Sequence, residues 1–190
     1  MPMLALTFDD GPDPEWTPRL LDVLCAAGAR ATFFPIASRA AAAPELIDQI
    51  LFDGHEIGLH CDEHARHSER SIGWGRRDTA RALDLLRSVG VRPRLWRTPW
   101  GDTAAWSDQV ARENQLRITG WTVDTRDWRG DRAEHMFRAT RDALCDGAIV
   151  LAHDGIGPGA RRADARQTIE YTARVAEHAA TAGLSLRTAT

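Results

Sequence analysis

Residues 6–14 read LTFDDGPDP, so two adjacent aspartates, Asp9 and Asp10, stand where a short apolar segment meets a Gly-Pro turn. Successive side chains of a β-strand point to opposite faces, and a strand interior would therefore direct one of these carboxylates into a core. A strand end removes the conflict, because Gly11 and Pro12 redirect the backbone and allow both carboxylates to face one cleft. Asp, Gly and Pro are also ordinary turn residues, so this stretch alone favours a solvated turn.

The composition is typical of a folded globular chain, with 43% hydrophobic and 27% charged residues among 190. This length predicts one domain over residues 1–190 with a substantial core. No run approaches the roughly 18 consecutive apolar residues that a membrane-spanning helix needs. All 24 basic residues are arginine, and 27 acidic residues are interspersed with them to give a formal net charge of −3. This balance predicts no nucleic-acid partner and no membrane partner.

Cysteine usage and the start of the chain bear on the compartment. Cys25, Cys61 and Cys145 are odd in number and show no paired spacing, so no disulfide framework is predicted and a reducing compartment is acceptable. An apolar strand follows Met1 almost at once, which leaves no room for the basic and apolar regions of a leader peptide. We therefore expect a cytoplasmic protein.

Hydrophobic periodicity and Gly/Pro breakers predict a regular alternation of strands and helices. The predicted strands are Leu4–Phe8, Ala31–Ile36, His55–Leu59, Leu95–Thr98, Ile118–Val123, Ala148–Ala152 and Leu184–Arg187. The predicted helices are Thr17–Ala27, Pro44–Phe52, Asp78–Ser88, Trp106–Asn114, Arg132–Leu144 and Arg166–Ala182, and an Ala-rich run at Ala40–Ala43 resembles the approach to a helix. Repeated strand-helix units indicate an α/β fold with a parallel sheet, although periodicity leaves open whether about seven strands close as a barrel.

Ionisable residues stand at the carboxyl ends of five predicted strands. They are Asp9 and Asp10; His60; Arg97; Asp124, Arg126 and Asp127; and His153 and Asp154. In parallel α/β folds these strand ends surround one common mouth, where the working residues collect. Turn chemistry by itself would favour Gly, Asn and Ser at such places and would scatter charges over both ends of the sheet. The pattern therefore predicts one polar site at this edge.

The segment HCDEHARH, residues 60–67, follows the third predicted strand. On a helical turn, His60 and His64 would share one face and could bind a single metal ion, although this spacing is a weak signal when it stands alone. Beside strand-end aspartates it predicts an open catalytic site of two imidazoles, one carboxylate and a water molecule. His67 is a rival ligand that is more typical of a loop histidine, and Cys61 is more typical of a packing residue.

These residues, taken in order, resemble the five motifs of the NodB-type polysaccharide deacetylases, carbohydrate esterase family 4. The matching segments are TFDDGP at 7–12, the two histidines at 60 and 64, RTPWG at 97–101, DTRDW at 124–128 and LAHD at 151–154. GARATFFPI at 28–36 and GHEIGLH at 54–60 are also similar to the family's second and third strands. The resemblance implies a distorted (β/α) barrel, one divalent metal ion, usually zinc with cobalt as an alternative, and hydrolysis of N-acetyl groups on amino sugars of chitooligosaccharide or peptidoglycan type.

The resemblance also implies a role for each matched residue. The implied metal ligands are Asp10, His60 and His64; the implied general base is Asp9, oriented by Arg97; the implied general acid is His153, held by Asp127; and the implied substrate contacts are the backbone N–H of Trp100 at the oxyanion, with Trp128 and Leu151 around the acetyl group. Amide hydrolysis needs an activated water, a stabilised oxyanion and a proton for the leaving amine. This set of residues supplies all three requirements.

The chain departs from the family pattern in two motifs. Leu59 and Cys61 flank the first metal histidine, where the family often has Asn and Ser or Thr, and Thr98 and Trp100 replace the second and fourth residues of the third motif. The bulk of Trp100 affects the shape of the sugar site rather than the chemistry. Two alternative functions stay open, namely a deacetylase of a small acetylated metabolite or other small acetamide, and a catalytically silent metal- or carbohydrate-binding protein on the same fold.

Overall fold

A computed structural model describes residues 2–189, and Met1 and Thr190, the two ends of the predicted domain, lie outside the described residues. The strands are β1 (Met3–Asp9), β2 (Thr32–Phe34), β3 (Glu56–Ile57), β4 (Leu95–Trp96), β5 (Arg117–Ile118), β6 (Val123–Asp124), β7 (Ile149–His153) and β8 (Ser185–Arg187). The α-helices are α1 (Trp16–Ala26), α2 (Ala37–Ala42), α3 (Pro44–Phe52), α4 (Ile72–Ser88), α5 (Ser107–Glu113), α6 (Ala133–Thr140) and α7 (Arg166–Ala182). Short 3₁₀ helices cover His67–Glu69, Pro99–Gly101, Asp127–Arg129 and Arg141–Ala143. The chain is therefore an α/β protein, as the sequence predicts.

All strand pairs are parallel, and β1 is the central strand. One sheet runs in the order β3-β2-β1-β7-β6, with β8 pairing to the first half of β1 and β2 to its second half. A second sheet contains β4 and β5, and a bridge between Leu59 and Trp96 joins it to the β3 side of the first. Among residues 2–189 no ladder joins β5 to β6, so the barrel is distorted and incompletely closed.

The register of β1 and β7 positions the site. Because both strands run in the same direction, Asp9 lies directly opposite His153 at their carboxyl ends. In the next pair, Asp124 of β6 lies opposite Leu151 of β7. Residues from three different parts of the sequence thus meet at one edge of the sheet, where parallel α/β folds place their working residues.

The core forms because β1 is covered on both faces. Its residues from Leu4 to Asp9 are all buried, the pattern of a strand inside a parallel sheet rather than one with a solvated face. Buried leucines of α1, such as Leu20 and Leu24, pack in the same apolar cluster as Tyr171 of α7. None of the described helices is both long and apolar enough to span a bilayer.

The predicted strand Ile118–Val123 is wrong. This segment forms two short strands in different sheets, because the backbone N–H of Thr119 donates to Trp96 of β4 whereas that of Thr122 donates to Ile149 of β7. The chain crosses between the two sheets at the intervening residues. Periodicity reads this stretch as one strand because both halves are apolar.

Three helical segments also differ from prediction by more than one residue. Helix α4 begins at Ile72, six residues before the predicted start, where the hydroxyl of Ser71 accepts a hydrogen bond from the N–H of Trp74 as an N-cap. The predicted helix Arg132–Leu144 ends as an α-helix at Thr140 and continues as a 3₁₀ turn. The Ala-rich run belongs to a complete short helix, α2, which periodicity did not reveal.

Candidate active site

The turn after β1 directs two carboxylates into one cleft. Asp9 is the last residue of β1, and Asp10 has a φ of 71°, the left-handed conformation that aspartate tolerates better than most residues. This backbone reversal interrupts the alternation of strand side chains, so both carboxylates line the same cavity. A Cβ on Gly157 would lie 1.8 Å from Oδ2 of Asp10, and this close approach requires glycine at position 157.

The cleft has a volume of about 420 Å³. Eight of the ten residues predicted to act in catalysis, substrate binding or metal binding line it. The other two, Arg97 and Asp127, are buried behind the wall, where Arg97 contacts Asp9 and Asp127 contacts His153. The structure therefore brings together residues that the sequence places up to 144 positions apart.

Asp10, His60 and His64 form a group of three potential metal ligands whose donor atoms all lie within 4.8 Å of one another. Oδ1 of Asp10 lies 3.3 Å from Nε2 of His60 and 3.3 Å from Nε2 of His64. The Nδ1–H of His60 donates to the carbonyl of Arg97 at 2.7 Å, which fixes the tautomer and leaves Nε2 as the free electron pair. The donor atoms of the group thus face a common centre.

This group fits a divalent cation. Bonds of about 2.0–2.2 Å at tetrahedral angles separate two ligand atoms by about 3.3–3.6 Å, and the two Asp10–histidine distances match that separation. Oδ1 of Asp10 is buried and has no hydrogen-bond partner of acceptable geometry among residues 2–189. Burial opposes ionisation of Asp10, yet the two imidazoles hold its pKa well below the usual value, so the group favours positive charge at its centre. Two imidazoles and a carboxylate are also the donor set of many catalytic zinc sites.

Asp9 is held by a buried arginine through only one of its oxygens. Nη1 of Arg97 donates to Oδ1 of Asp9 at 3.0 Å and to the hydroxyl of Thr7 at 2.6 Å. Nη2 donates to the carbonyl of Gly120 at 2.7 Å, and the guanidinium packs on the ring of Phe34 at 4.3 Å. Among residues 2–189, nothing donates a hydrogen bond to Oδ2 of Asp9. This oxygen is consequently available as a proton acceptor.

The half-buried His153 pairs with the buried Asp127 beside Asp9. Nδ1 of His153 lies 2.7 Å from Oδ1 of Asp127, and the backbone N–H of His153 donates to Oδ2 at 3.0 Å. Burial disfavours the imidazolium, but the charge and hydrogen bond of Asp127 outweigh it and raise the pKa of His153 to about 9. Burial likewise opposes ionisation of Asp127, yet the His153 charge lowers its pKa to about 2. The contact with Asp127 thus favours the protonated form of His153.

Two tryptophans and a leucine shape the cleft wall. Trp100 is 43% exposed and has a left-handed backbone with φ of 55°. Its ring and that of His64 pack edge to face, with their centroids 4.2 Å apart. The guanidinium carbon of Arg66 lies over the Trp100 ring, 4.7 Å from its centroid. Trp128 and the buried Leu151 line the cleft nearer to His153. One face of Trp100 is therefore occupied by an arginine.

The two rival ligands lie outside the donor group. His67 is buried, with Nδ1 3.0 Å from the hydroxyl of Ser107 and its ring stacked on Trp106 at 4.7 Å. Burial lowers the pKa of His67 to about 4, so it is a neutral core histidine. Cys61 is also buried, and burial raises the pKa of its thiol.

The segment from His60 to His64 is not a helical turn, which corrects the geometry assumed from the spacing. Cys61 forms an isolated parallel bridge to Ile36, and the chain bends at Asp62 before reaching His64. The two histidines converge through this bend. The departures at positions 59 and 61 place both side chains in the core rather than in the cleft.

Not every strand-end residue faces the cleft. Arg126 is exposed on the far side of its loop, and its backbone N–H donates to the carboxylate of Asp124. Asp154 is buried beneath Gly11, where its carboxylate accepts a hydrogen bond from the hydroxyl of Thr17 at 2.6 Å. Burial raises the pKa of Asp154 to about 7. Asp154 supports the turn between β1 and α1 from below.

Sequence reasoning missed residues that hold the cleft from behind. Asp78 of α4 accepts the backbone N–H groups of Asp62 and Glu63 at 3.4 and 2.7 Å, which ties down the loop between the two histidines. Arg39 of α2 donates to the carbonyls of Asp10 at 2.7 Å and Ile156 at 3.0 Å. A signal existed for Asp78 only, since it shares the buried stripe of α4 with residues 82 and 86.

Comparisons with known proteins identify the family of the chain. Residues 1–119, which contain the first three motifs, match the sequence profile of the family described as polysaccharide deacetylase. The chain is 36% identical over 160 residues to a chitooligosaccharide deacetylase of Azorhizobium caulinodans, covering 82% of this chain and 75% of that relative. It is 33% identical over 155 residues to a peptidoglycan-N-acetylglucosamine deacetylase of Bacillus cereus, covering 81% of this chain but only 56% of the relative.

A solved structure shares the fold. The family 4 carbohydrate esterase from Streptomyces lividans in complex with acetate superposes with a TM-score of 0.86 at 28% identity, over 97% of this chain and 91% of that one. The fold predicted from the motif resemblance, a distorted barrel of parallel strands, is confirmed.

Proposed function

The chain belongs to the polysaccharide deacetylase family, and we propose that it is a metal-dependent hydrolase that removes N-acetyl groups from N-acetylated amino sugars. The observation that carries the proposal is the convergence of three parts in one cleft. These are a carboxylate with a free oxygen, a protonated histidine paired with a carboxylate, and a donor group that fits a divalent cation. Each part supplies one requirement of amide hydrolysis.

Asp10, His60 and His64 would hold the metal ion, which we propose to be zinc, with cobalt as a substitute. Such an ion polarises a carbonyl and lowers the pKa of water from 15.7 towards about 7. The hydrogen bond from His60 to the carbonyl of Arg97 orients one ligand, and Asp78 holds the loop that carries the other histidine. These contacts keep the donor atoms directed inwards without help from substrate.

Asp9 acts as the general base. Its free Oδ2 would accept the proton of the attacking water, while Arg97 holds the carboxylate in place through Oδ1. The β1–β7 register places Asp9 beside His153, so base and acid flank the same acetamide. An asparagine at position 9 would keep the shape and lose the acceptor.

His153 acts as the general acid and protonates the leaving amine. Its Nδ1 is engaged by Asp127, which leaves Nε2 to donate towards the cleft. The backbone N–H of Trp100 would stabilise the oxyanion, and Trp128 with Leu151 would enclose the acetyl methyl group. The exposed ring of Trp100 at the mouth suits the apolar face of a sugar.

Acetate release from a panel of substrates tests the proposal. Zinc-loaded protein is incubated with N-acetylglucosamine, soluble chitooligosaccharides, insoluble chitin, peptidoglycan and a small N-alkylacetamide. We expect the highest turnover on soluble or polymeric glycans. Turnover of the small acetamide alone would point to a metabolite deacetylase, and release from none of them, at full metal occupancy, would identify a silent binding protein instead.

A further inference from the structure

Arg162 lies in the loop between β7 and α7, outside all five motifs, and its side chain is only 5% exposed. Its guanidinium makes two sets of contacts near His153, one with side chains and one with backbone carbonyls. Nη1 lies 3.0 Å from Oδ2 of Asp127 and donates to the hydroxyl of Thr168. Nη2 donates to the carbonyls of His153 at 2.8 Å and Gly155 at 3.0 Å. One side chain therefore joins the carboxylate, the histidine backbone and the following turn.

These contacts assign separate tasks to the two oxygens of Asp127. Oδ2 receives the backbone N–H of His153, the hydroxyl of Thr168 at 2.7 Å and the Arg162 guanidinium. Among residues 2–189, Oδ1 contacts only Nδ1 of His153. Two hydrogen bonds and one ion pair at Oδ2 prevent rotation of the carboxylate, so Oδ1 stays directed at the imidazole. The orientation of the ring thus depends on the group that fills Oδ2.

The second set of Arg162 contacts is with the backbone. The planar guanidinium binds the carbonyls of His153 and Gly155, at and just beyond the end of β7. A lysine has one compact ammonium group and cannot reproduce two parallel contacts on carbonyls together with a carboxylate contact. The demand for a planar fork explains why arginine occupies this buried position.

We propose that Arg162 is a positioning residue for the general acid, holding Asp127 and the main chain of His153 so that the imidazole can protonate the leaving amine. The inference rests on the proposed function, because it presumes that His153 is the acid. Arg162 itself acts through Asp127 and the backbone. The adjacent Arg161 is exposed and makes no side-chain hydrogen bond or ion pair among residues 2–189, so it offers a matched control.

The test compares two substrates that differ in their need for an acid. A chitooligosaccharide releases an amine, which must be protonated, whereas 4-nitrophenyl acetate releases a phenolate, which leaves without a proton. We expect Arg162→Lys to lower kcat on the oligosaccharide by about tenfold to a hundredfold while ester hydrolysis changes less than threefold. Arg161→Lys should leave both rates unchanged, and zinc content should match wild type in both variants.

The other possible results either support or overturn the role of Arg162. An unchanged ratio of amide to ester turnover in folded Arg162→Lys would overturn the inference, as would an equal fall for Arg161→Lys. If Arg162→Lys does not fold, Thr168→Val removes a single hydroxyl from the same carboxylate: a lowered ratio supports the inference and an unchanged ratio overturns it. Wild-type protein that hydrolyses neither substrate would instead refute the proposed function.

Discussion

Two carboxylate–arginine pairs support the cleft and share the same 3.0 Å separation between nitrogen and oxygen, Asp9 with Arg97 and Asp127 with Arg162. Asp9 accepts one hydrogen bond and keeps an oxygen free. Asp127 uses both oxygens, for His153, Thr168 and its arginine. Identical chemical groups thus take different tasks because the number of donors around them differs. In the proposed function, the carboxylate with a free oxygen would accept a proton, and the carboxylate whose two oxygens are both engaged would hold the histidine that donates one.

The largest expected effect on kcat comes from substitution of Asp9, the carboxylate with a free oxygen. Asp9→Asn keeps the size of the side chain but removes the proton acceptor, so kcat should fall by about 10²–10⁴ on both a chitooligosaccharide and 4-nitrophenyl acetate. The base is needed whichever group leaves. Metal analysis should show unchanged zinc. Full retention of activity would mean that another group accepts the proton. The free oxygen of Asp9 would then not distinguish its role from that of Asp127.

Substitution of Asp127, whose two oxygens are both engaged, should have a smaller effect on kcat that depends on the substrate. Asp127→Asn leaves the base and the metal ligands intact but presents His153 with a neutral partner, so turnover of the oligosaccharide should fall by about 10². Hydrolysis of the aryl ester should change little. Steady-state kinetics on both substrates measure the ratio. Equal losses on amide and ester would show that Asp127 serves the fold generally and has no special link to the acid.

The pairing of His153 with Asp127 should also make stability depend on pH. The raised pKa of His153, about 9 against an unfolded value of 6.5, gives stabilisation that is complete below about pH 6.5 and lost as pH rises through 9. The lowered pKa of Asp127, about 2, gives stabilisation that is present above about pH 4 and lost towards pH 2. The pair therefore contributes most between about pH 4 and 6.5.

Urea unfolding measures this contribution. The difference in unfolding free energy between wild type and Asp127→Asn should reach about 3 kcal/mol near pH 6 and shrink by pH 10. Chelated protein is used, because a cation beside Asp10 would oppose protonation of His153. A difference that is constant from pH 6 to pH 10 would contradict the assigned pairing.

A third carboxylate, Asp78, pairs with no arginine in the part of the chain that the structure describes, and its substitution should give the smallest effect. Its two oxygens hold the backbone between the metal histidines, so Asp78→Asn loses one of two acceptors and should weaken zinc binding by about tenfold. Asp84→Asn on the exposed face of the same helix is the control. Competition with a zinc chelator measures both affinities. Equal zinc affinities in the two variants would show that Asp78 does not support the metal site.

The strand-end residues were predictable because their chemistry is concentrated in short segments. Asp9 and Asp10 adjoin a Gly-Pro turn, and parallel strands bring such ends together whatever lies between them. The left-handed backbone at Asp10, which lets both side chains face the cleft, was foreseen only as a strand end. Local order along the chain was sufficient for this half of the site.

The supporting residues were not predictable in this way. Arg162 and Thr168 lie beyond the last motif and contact Asp127 about 40 positions away, so no local pattern connects them. Arg39 lies on α2, whose run of alanines shows no contrast between an apolar and a polar face. These contacts depend on how the helices pack around the barrel, and single-sequence periodicity carries no information about that packing.

The central claim is that hydrolysis depends on a metal ion held by Asp10, His60 and His64. The most direct measurement titrates zinc into chelated wild-type protein and records bound zinc and acetate release from a chitooligosaccharide in parallel. We expect activity to rise with bound zinc and to saturate at about one equivalent, the number that a three-ligand site holds. A double His60→Ala, His64→Ala variant should bind no zinc at this level and release no acetate. Full activity in chelated protein, or a full equivalent of zinc in the double variant, would contradict the account.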